Sequence, residues 1–241
     1  MEHWNLVTFV TMKCWVSTRE TGEAMNDYHN FSLSTTQSLF LNLAILSMIV
    51  FSLIRSEKSL RNQSQWAVLF LLTIFGVSGR VLMEPIPNVQ PVTVLVLLVG
   101  AYFGAPRAIA LAASIALASN IIFLGHGPWT LFQAVGWGAI GLVGALLSDR
   151  IISGERIRIG SLAIIAAASG FAFNWVVSLS ILLEADSSML IPYLLNGLVF
   201  DLYHAVGNVM FVAWLASPLG EMMERHRSSP ELEAVIEGAP N

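Results

Sequence analysis

The chain has 241 residues, of which 55% are hydrophobic and only 12% charged, with a formal net charge of −4. Soluble domains carry about 25% charged residues, so this composition excludes an ordinary soluble domain and marks an integral membrane protein in a lipid bilayer. A single cysteine, Cys14, excludes a disulfide framework or a cysteine-built metal site within one chain.

Residues 1–35 mix charges with scattered aromatics and hold no apolar run long enough to cross a bilayer, so they are expected as an exposed tail. Lys13 precedes only a short, broken apolar stretch, which does not read as a cleaved signal peptide, and Met25 is an alternative start. Seven apolar segments follow, at about 36–54, 66–83, 91–104, 105–124, 130–148, 159–183 and 195–217. They approach the roughly 20 residues that span a hydrocarbon core, and the two shorter ones are expected inside the bundle. Between the second and third, Pro85, Pro87 and Pro91 cannot continue a helix, because each ring removes an N–H donor and biases the residue before it away from helix. Non-helical backbone at membrane depth survives only where protein buries it or where it lines a cavity, so this stretch is a candidate binding element as well as a plain loop. Gly104-Ala105-Pro106 is a tight turn into the next helix.

Orientation follows from the basic residues. Arg55, Lys58, Arg61, Arg107, Arg150, Arg156, Arg158, Arg225 and Arg227 alternate onto one side, whereas the opposite loops hold Glu84, His126, Glu184 and Asp186. The positive-inside rule places the first set in the cytoplasm, with the tail 1–35 outside and the tail 218–241 inside. Arg80 is the exception, near the outer end of the second segment; it either snorkels to headgroups or faces inward toward Asp201 or an anion.

Helical spacing then groups the intramembrane polar residues. Gln133, Trp137, Gly141 and Gly144 share a face of the fifth segment; Gly170, Asn174 and Ser178 share one on the sixth, beside Trp175. Gly197, Asp201, His204 and Asn208 line the seventh, and Asn120 closes the fourth near Trp129. Taken singly, a residue such as Asn174 or Gln133 is more often interhelical glue than a ligand contact, and Trp129 or Trp137 could belong to an interfacial belt. Together they fall in the outer half of the membrane, which suits a pocket open to the outside better than a relay through the bilayer. Asp201 and His204 could form a general-base pair or a hydrogen-bonded dyad, but two ligands without a third do not make a metal site. No phosphate-binding loop, nucleophile elbow or His-Glu-x-x-His pair occurs, so no catalytic residue, cofactor or metal is assigned and no nucleic-acid partner is expected.

The segments Pro87-Asn88-Val89-Gln90-Pro91-Val92-Thr93, Gly100-Ala101-Tyr102-Phe103-Gly104, Gly127-Pro128-Trp129-Thr130 with Gln133, and Phe200-Asp201-Leu202-Tyr203-His204-Ala205-Val206-Gly207-Asn208 resemble, in that order, the substrate-binding S components of energy-coupling factor (ECF) vitamin transporters. The resemblance covers about 66–217. It implies a compact six-helix transmembrane bundle in a prokaryotic cell membrane, here with an extra N-terminal transmembrane helix at 36–54. It also implies capture of a vitamin or precursor from outside, with transport left to a transmembrane coupling protein and two cytosolic ATPases. Within that family the pattern looks most like members associated with cobalamin or its precursors. Substrate contacts are then expected from Arg80, Asn88, Gln90, Thr93, Asn120, Trp129, Gln133, Trp137, Asn174, Trp175, Asp201, His204 and Asn208. The tryptophans would stack on a flat heterocycle and the amides would donate and accept hydrogen bonds. The family docks its coupling protein through small residues four apart on the first core helix, where this chain has Ala67 followed by Leu71; Ala108, Ala112 and Ala116 offer such a ridge instead. An intramembrane enzyme using Asp201 and His204, or a structural membrane subunit, are the rival readings.

Overall fold

A computed structural model describes residues 34–56, 63–183 and 185–227. The expected tails, apart from Ser34, Thr35 and the stretch 218–227, lie outside that range, as do Lys58, Arg61 and Glu184. Helix α1 (Thr35–Arg55) starts at Ser34, whose hydroxyl and backbone N–H exchange hydrogen bonds with Gln37 in a capping box. There follow α2 (Gln63–Leu82), α3 (Val92–Phe103), α4 (Ala105–Ser119) with a π-helical turn at Asn120–Leu124, and α5 (Trp129–Leu146). A short α6 (Ser148–Ile151) leads into the two-residue strands β1 (Ile152–Ser153) and β2 (Arg156–Ile157). The chain then forms α7 (Ile159–Ser178), which tightens to a 3₁₀ turn at Leu179–Leu183, a second 3₁₀ turn at Ser187–Met189, and α8 (Leu190–Arg225). Six helical stretches are long and apolar enough to cross a membrane, and α3 is a shorter apolar helix. The protein is an all-α, multi-span membrane protein.

The shortest helix is the central one. Every residue of α3 is buried, and α2, α4, α5, α6, α7 and α8 all pack on it. Apart from Thr93 and Tyr102 its residues are apolar or glycine, with no polar alternation, which suits a helix enclosed on all sides. Its 12 residues rise only about 18 Å, short of the ~30 Å hydrocarbon core. The Pro-rich stretch makes up the distance by entering the bundle: Pro91 lies against Gly79, and Val89 against Gly207 in the middle of α8. Asn88 takes a positive φ of 54°, a conformation that Asn tolerates better than most residues.

Small residues set how closely the helices approach. A Cβ on Gly100 would fall on the carbonyl oxygen of Gly141, one on Gly144 on that of Leu97, and one on Gly141 against the Ala108 methyl. These contacts nest α3, α4 and α5 together. Ala108, Ala112 and Ala116 are consequently fully buried inside the bundle. The expectation that they form a free ridge for a coupling protein is corrected: close helix approach does occur there, but within this chain. By contrast α1 presents Leu39, Phe40, Leu43, Leu46, Val50, Phe51 and Ile54 outward, as a lipid-facing helix does.

The described ends sort by contact. The Gln65 side chain donates to the carbonyl of His226 at 2.8 Å, tying the start of α2 to the end of α8. Gly220 lies against Ile157 and the Tyr102 hydroxyl, so β2 and the end of α3 share that end with Arg107 and Arg225. At the other end Gln37 and Phe40 of α1 line one groove with Pro128, Leu131 and Leu183. Two expectations need correction here. Helix α8 does not stop at 217 but runs through Pro218, since a proline forfeits one backbone bond and the packing of Gly220 and the fully buried Met223 holds the helix beyond it. The α6 and β1–β2 elements between the fifth and sixth spans were not foreseen, being too short to show a periodicity.

Candidate functional site

Four elements converge on Arg80 near the end of α2. Arg80 is only 5% exposed and its guanidinium bonds into the bundle, so the snorkelling alternative fails. Its Nε donates to Gln90 Oε1 at 2.9 Å, Nη1 to Ser119 Oγ and to Asn120 Oδ1 (3.1 Å), and Nη2 to Gln133 Oε1 at 3.4 Å. The carbon of the guanidinium stands 4.9 Å from the ring centroid of Trp137, within cation–π range. Ser119 and Asn120 are consecutive, at the junction of α4 with the π-helical turn, a distortion that often marks functional positions. Asn120 Nδ2 also donates to Thr130 Oγ1 (2.9 Å) and Gln133 Oε1 (2.7 Å), which locks the start of α5 to the end of α4.

Trp137 carries the network onward. It is fully buried, stacks on Phe173 with centroids 4.2 Å apart, and donates through Nε1 to Thr93 Oγ1 at 3.2 Å. Thr93 Oγ1 is 3.0 Å from His204 Nε2, and His204 Nδ1 is 3.3 Å from Asn174 Oδ1. These contacts fit one proton arrangement: Trp137 donates to Thr93, Thr93 to a neutral His204 at Nε2, and His204 Nδ1–H to Asn174. Asn174 Nδ2 and Asn208 Oδ1 are then buried without a hydrogen-bond partner among the described residues, while Asn208 Nδ2 donates to Ala166 O at 2.9 Å. Gly170, one turn from Asn174, allows α8 to approach at Ala205 and Asn208.

Of the expected contacts, Arg80, Gln90, Thr93, Asn120, Gln133, Trp137, Asn174 and His204 form this continuous network, and Asn208 adjoins it. The others lie apart. Asn88 donates to Phe200 O at 3.4 Å, Trp175 donates to Asp201 Oδ2 at 3.0 Å with its ring half exposed, and Trp129 donates to Gly125 O at 3.3 Å and covers Gly127. Arg80 does not pair with Asp201, and Asp201 and His204 do not bond each other; each has found a different partner. Trp137 has no exposed face on which a ligand could stack, so its part here is to position Arg80 and Thr93. Ser119, Thr130 and Phe173 belong to the network but were not singled out from the sequence. No group of three potential metal-ligating side chains occurs among the described residues. A groove of about 380 Å³ lies elsewhere, between α1 and the start of α5, lined by Phe40, Leu41, Ala44, Leu131 and Phe132; its apolar walls suit a lipid chain rather than the polar chemistry of the network. In the loop before α5, burial pushes the His126 imidazole below its ordinary range.

The fold and the network define a multi-span helical membrane protein that keeps a buried polar cluster in an apolar bundle. The chain belongs to the family of unknown function DUF6580, whose model matches residues 60–230, from the segment before α2 to the segment after α8. Helix α1 precedes the matched region. No curated protein and no solved structure matches the chain.

Proposed function

We propose that this protein is the substrate-capture subunit of an ECF-type importer, taking up a vitamin or vitamin precursor, cobalamin-related compounds among them. In this reading it sits in a prokaryotic cell membrane with its N-terminus outside and its C-terminus in the cytoplasm. It works with a transmembrane coupling protein and two cytosolic ATPases. The observation that carries the reading is the connected network from Gln90 and Arg80 to Asn174, drawn from six helices and the loop before α3 and ending in buried amide atoms with no partner among the described residues. Buried polar groups are costly in an apolar bundle unless satisfied, and a bound polar molecule would satisfy them. The protein is not proposed to be an enzyme: both His204 nitrogens are engaged by Thr93 and Asn174, which leaves no general-base pair with Asp201.

The test is chemical. The protein purified in mild detergent, then denatured and extracted, should release a small molecule in near-stoichiometric amount, identifiable by mass spectrometry. A chain that releases nothing, and is not stabilised by any of a panel of vitamins, is not a capture subunit, and the structural-subunit reading replaces this one.

A further inference from the structure

Resting on that capture reading, the chemistry around Arg80 narrows what is captured. An arginine near the end of a lipid-embedded helix ordinarily extends its charge to the headgroups. Arg80 instead turns inward, where a cation is tolerated only if it is paired. Its four side-chain acceptors are all neutral, and among the described residues no carboxylate lies within 4.0 Å of it. A guanidinium has five N–H donors. Four are used here, so one Nη2 hydrogen has no acceptor among the described residues.

The two sides of the guanidinium are held differently. Nη1 is anchored by Ser119 and Asn120, both buried on α4 and its π-helical turn. The Nε/Nη2 edge, the side that grips a carboxylate with two parallel bonds, is covered only by the side chains of Gln90 and Gln133, both part-buried, at 2.9 and 3.4 Å. Those two amide oxygens stand where the two oxygens of a bound carboxylate or phosphate would lie. Gln90 belongs to the loop before α3 and its side chain can rotate aside, whereas Gln133 Oε1 is also held by Asn120 Nδ2 at 2.7 Å, so an anion there would replace the longer 3.4 Å bond to Nη2. An anion in their place would bring charge-assisted bonds roughly twice as strong as neutral ones and would neutralise the buried cation.

We propose that the Nε/Nη2 edge of Arg80, uncovered by Gln90 and Gln133, receives a carboxylate or phosphate group of the captured molecule. The experiment uses the full chain in detergent and three probes sharing one ring: benzoate, phenyl phosphate and benzamide. The expected result is a rise in unfolding temperature with benzoate or phenyl phosphate, whichever group the site takes, and none with benzamide. Arg80→Gln should abolish the response. Gln90→Ala, which removes a competing acceptor, should strengthen the anion response severalfold. An undiminished response in folded Arg80→Gln, or benzamide acting as well as the anions, overturns the proposal. If Arg80→Gln does not fold, Gln90→Ala decides, and an unchanged or weaker anion response there overturns it. No response to any probe also overturns it, and the molecule extracted from the wild-type protein then separates the two readings. A neutral extracted molecule leaves capture standing without the anion site, whereas an empty chain removes both.

Discussion

Thr93 shows how much one hydroxyl can organise in an apolar core. It lies on α3, where every residue is buried, and serves both the Trp137 indole and the His204 imidazole. Thr93→Val keeps nearly the same shape but strands two buried polar groups. We expect a loss of about 1–3 kcal/mol, read as a lower unfolding temperature in detergent; wild-type stability in this variant would show that the Trp137–Thr93–His204 chain is not a structural link. Trp137→Ala should cost more, roughly 3–5 kcal/mol, because it empties a fully buried volume beside Phe173 and also removes the surface beneath Arg80. That loss would appear as instability even without a ligand, unlike the loss of a stacking platform. The helical stripes through Gln133 and Trp137, and through His204 and Asn208, were legible because period alone puts such residues on one face. Three further members of the network were not: Ser119, which accepts from Arg80, Thr130, which accepts from Asn120, and Phe173, which stacks on Trp137, are brought in by helix approach and by a π-helical turn that no periodicity announces. Whether Arg80 would turn inward or outward was likewise open, because an arginine near a helix end can do either.

At the level of elements, α3, α4 and α5 pack through backbone-to-backbone approach at Gly100, Gly141, Gly144 and Ala108. Gly141 and Gly144 stood out in the sequence as sharing a face with Gln133 and Trp137, but their purpose is visible only in the fold: they let α5 press on a central helix too short to cross the membrane alone. Gly144→Ala would place a methyl on the carbonyl of Leu97, which the backbone cannot avoid by changing a rotamer. Ala112→Leu would force a larger side chain into a fully buried site. Each should destabilise the bundle by about 1–3 kcal/mol. Thermal unfolding and size-exclusion behaviour check this; a normally folded Ala112→Leu protein would mean that α4 has room and would reopen its ridge as a docking surface. The span boundaries were read closely where Pro or Gly ends a helix, as at Val92 and Ala105, and missed at α8, where packing carries the helix past Pro218.

The whole molecule has two unlike ends. Arg107, Arg156 and Arg225 gather where the start of α2 meets the end of α8, whereas Glu84 and Asp186 belong to the loops of the opposite end, where the Ser188 N–H donates to Asp186 Oδ1. The positive-inside rule makes the first end cytoplasmic, so a reporter placed after Arg227 should be shielded from an external label and one placed near Asp186 should react with it. Reversed labelling at both sites would turn the Arg80 network toward the cytoplasm and end the argument for capture from outside. If the orientation holds, transport still needs a source of energy, and the sequence contains no phosphate-binding loop to supply one. A binding subunit can shift the occupancy of its own site but cannot concentrate a solute without coupling to a downhill process. Purified into liposomes alone, the chain should therefore bind the molecule extracted from it without accumulating it, and accumulation should begin only when a coupling protein and both ATPases are added with ATP. ATP-dependent concentration by this chain alone would rule out the division of labour proposed here, whatever the ligand is found to be.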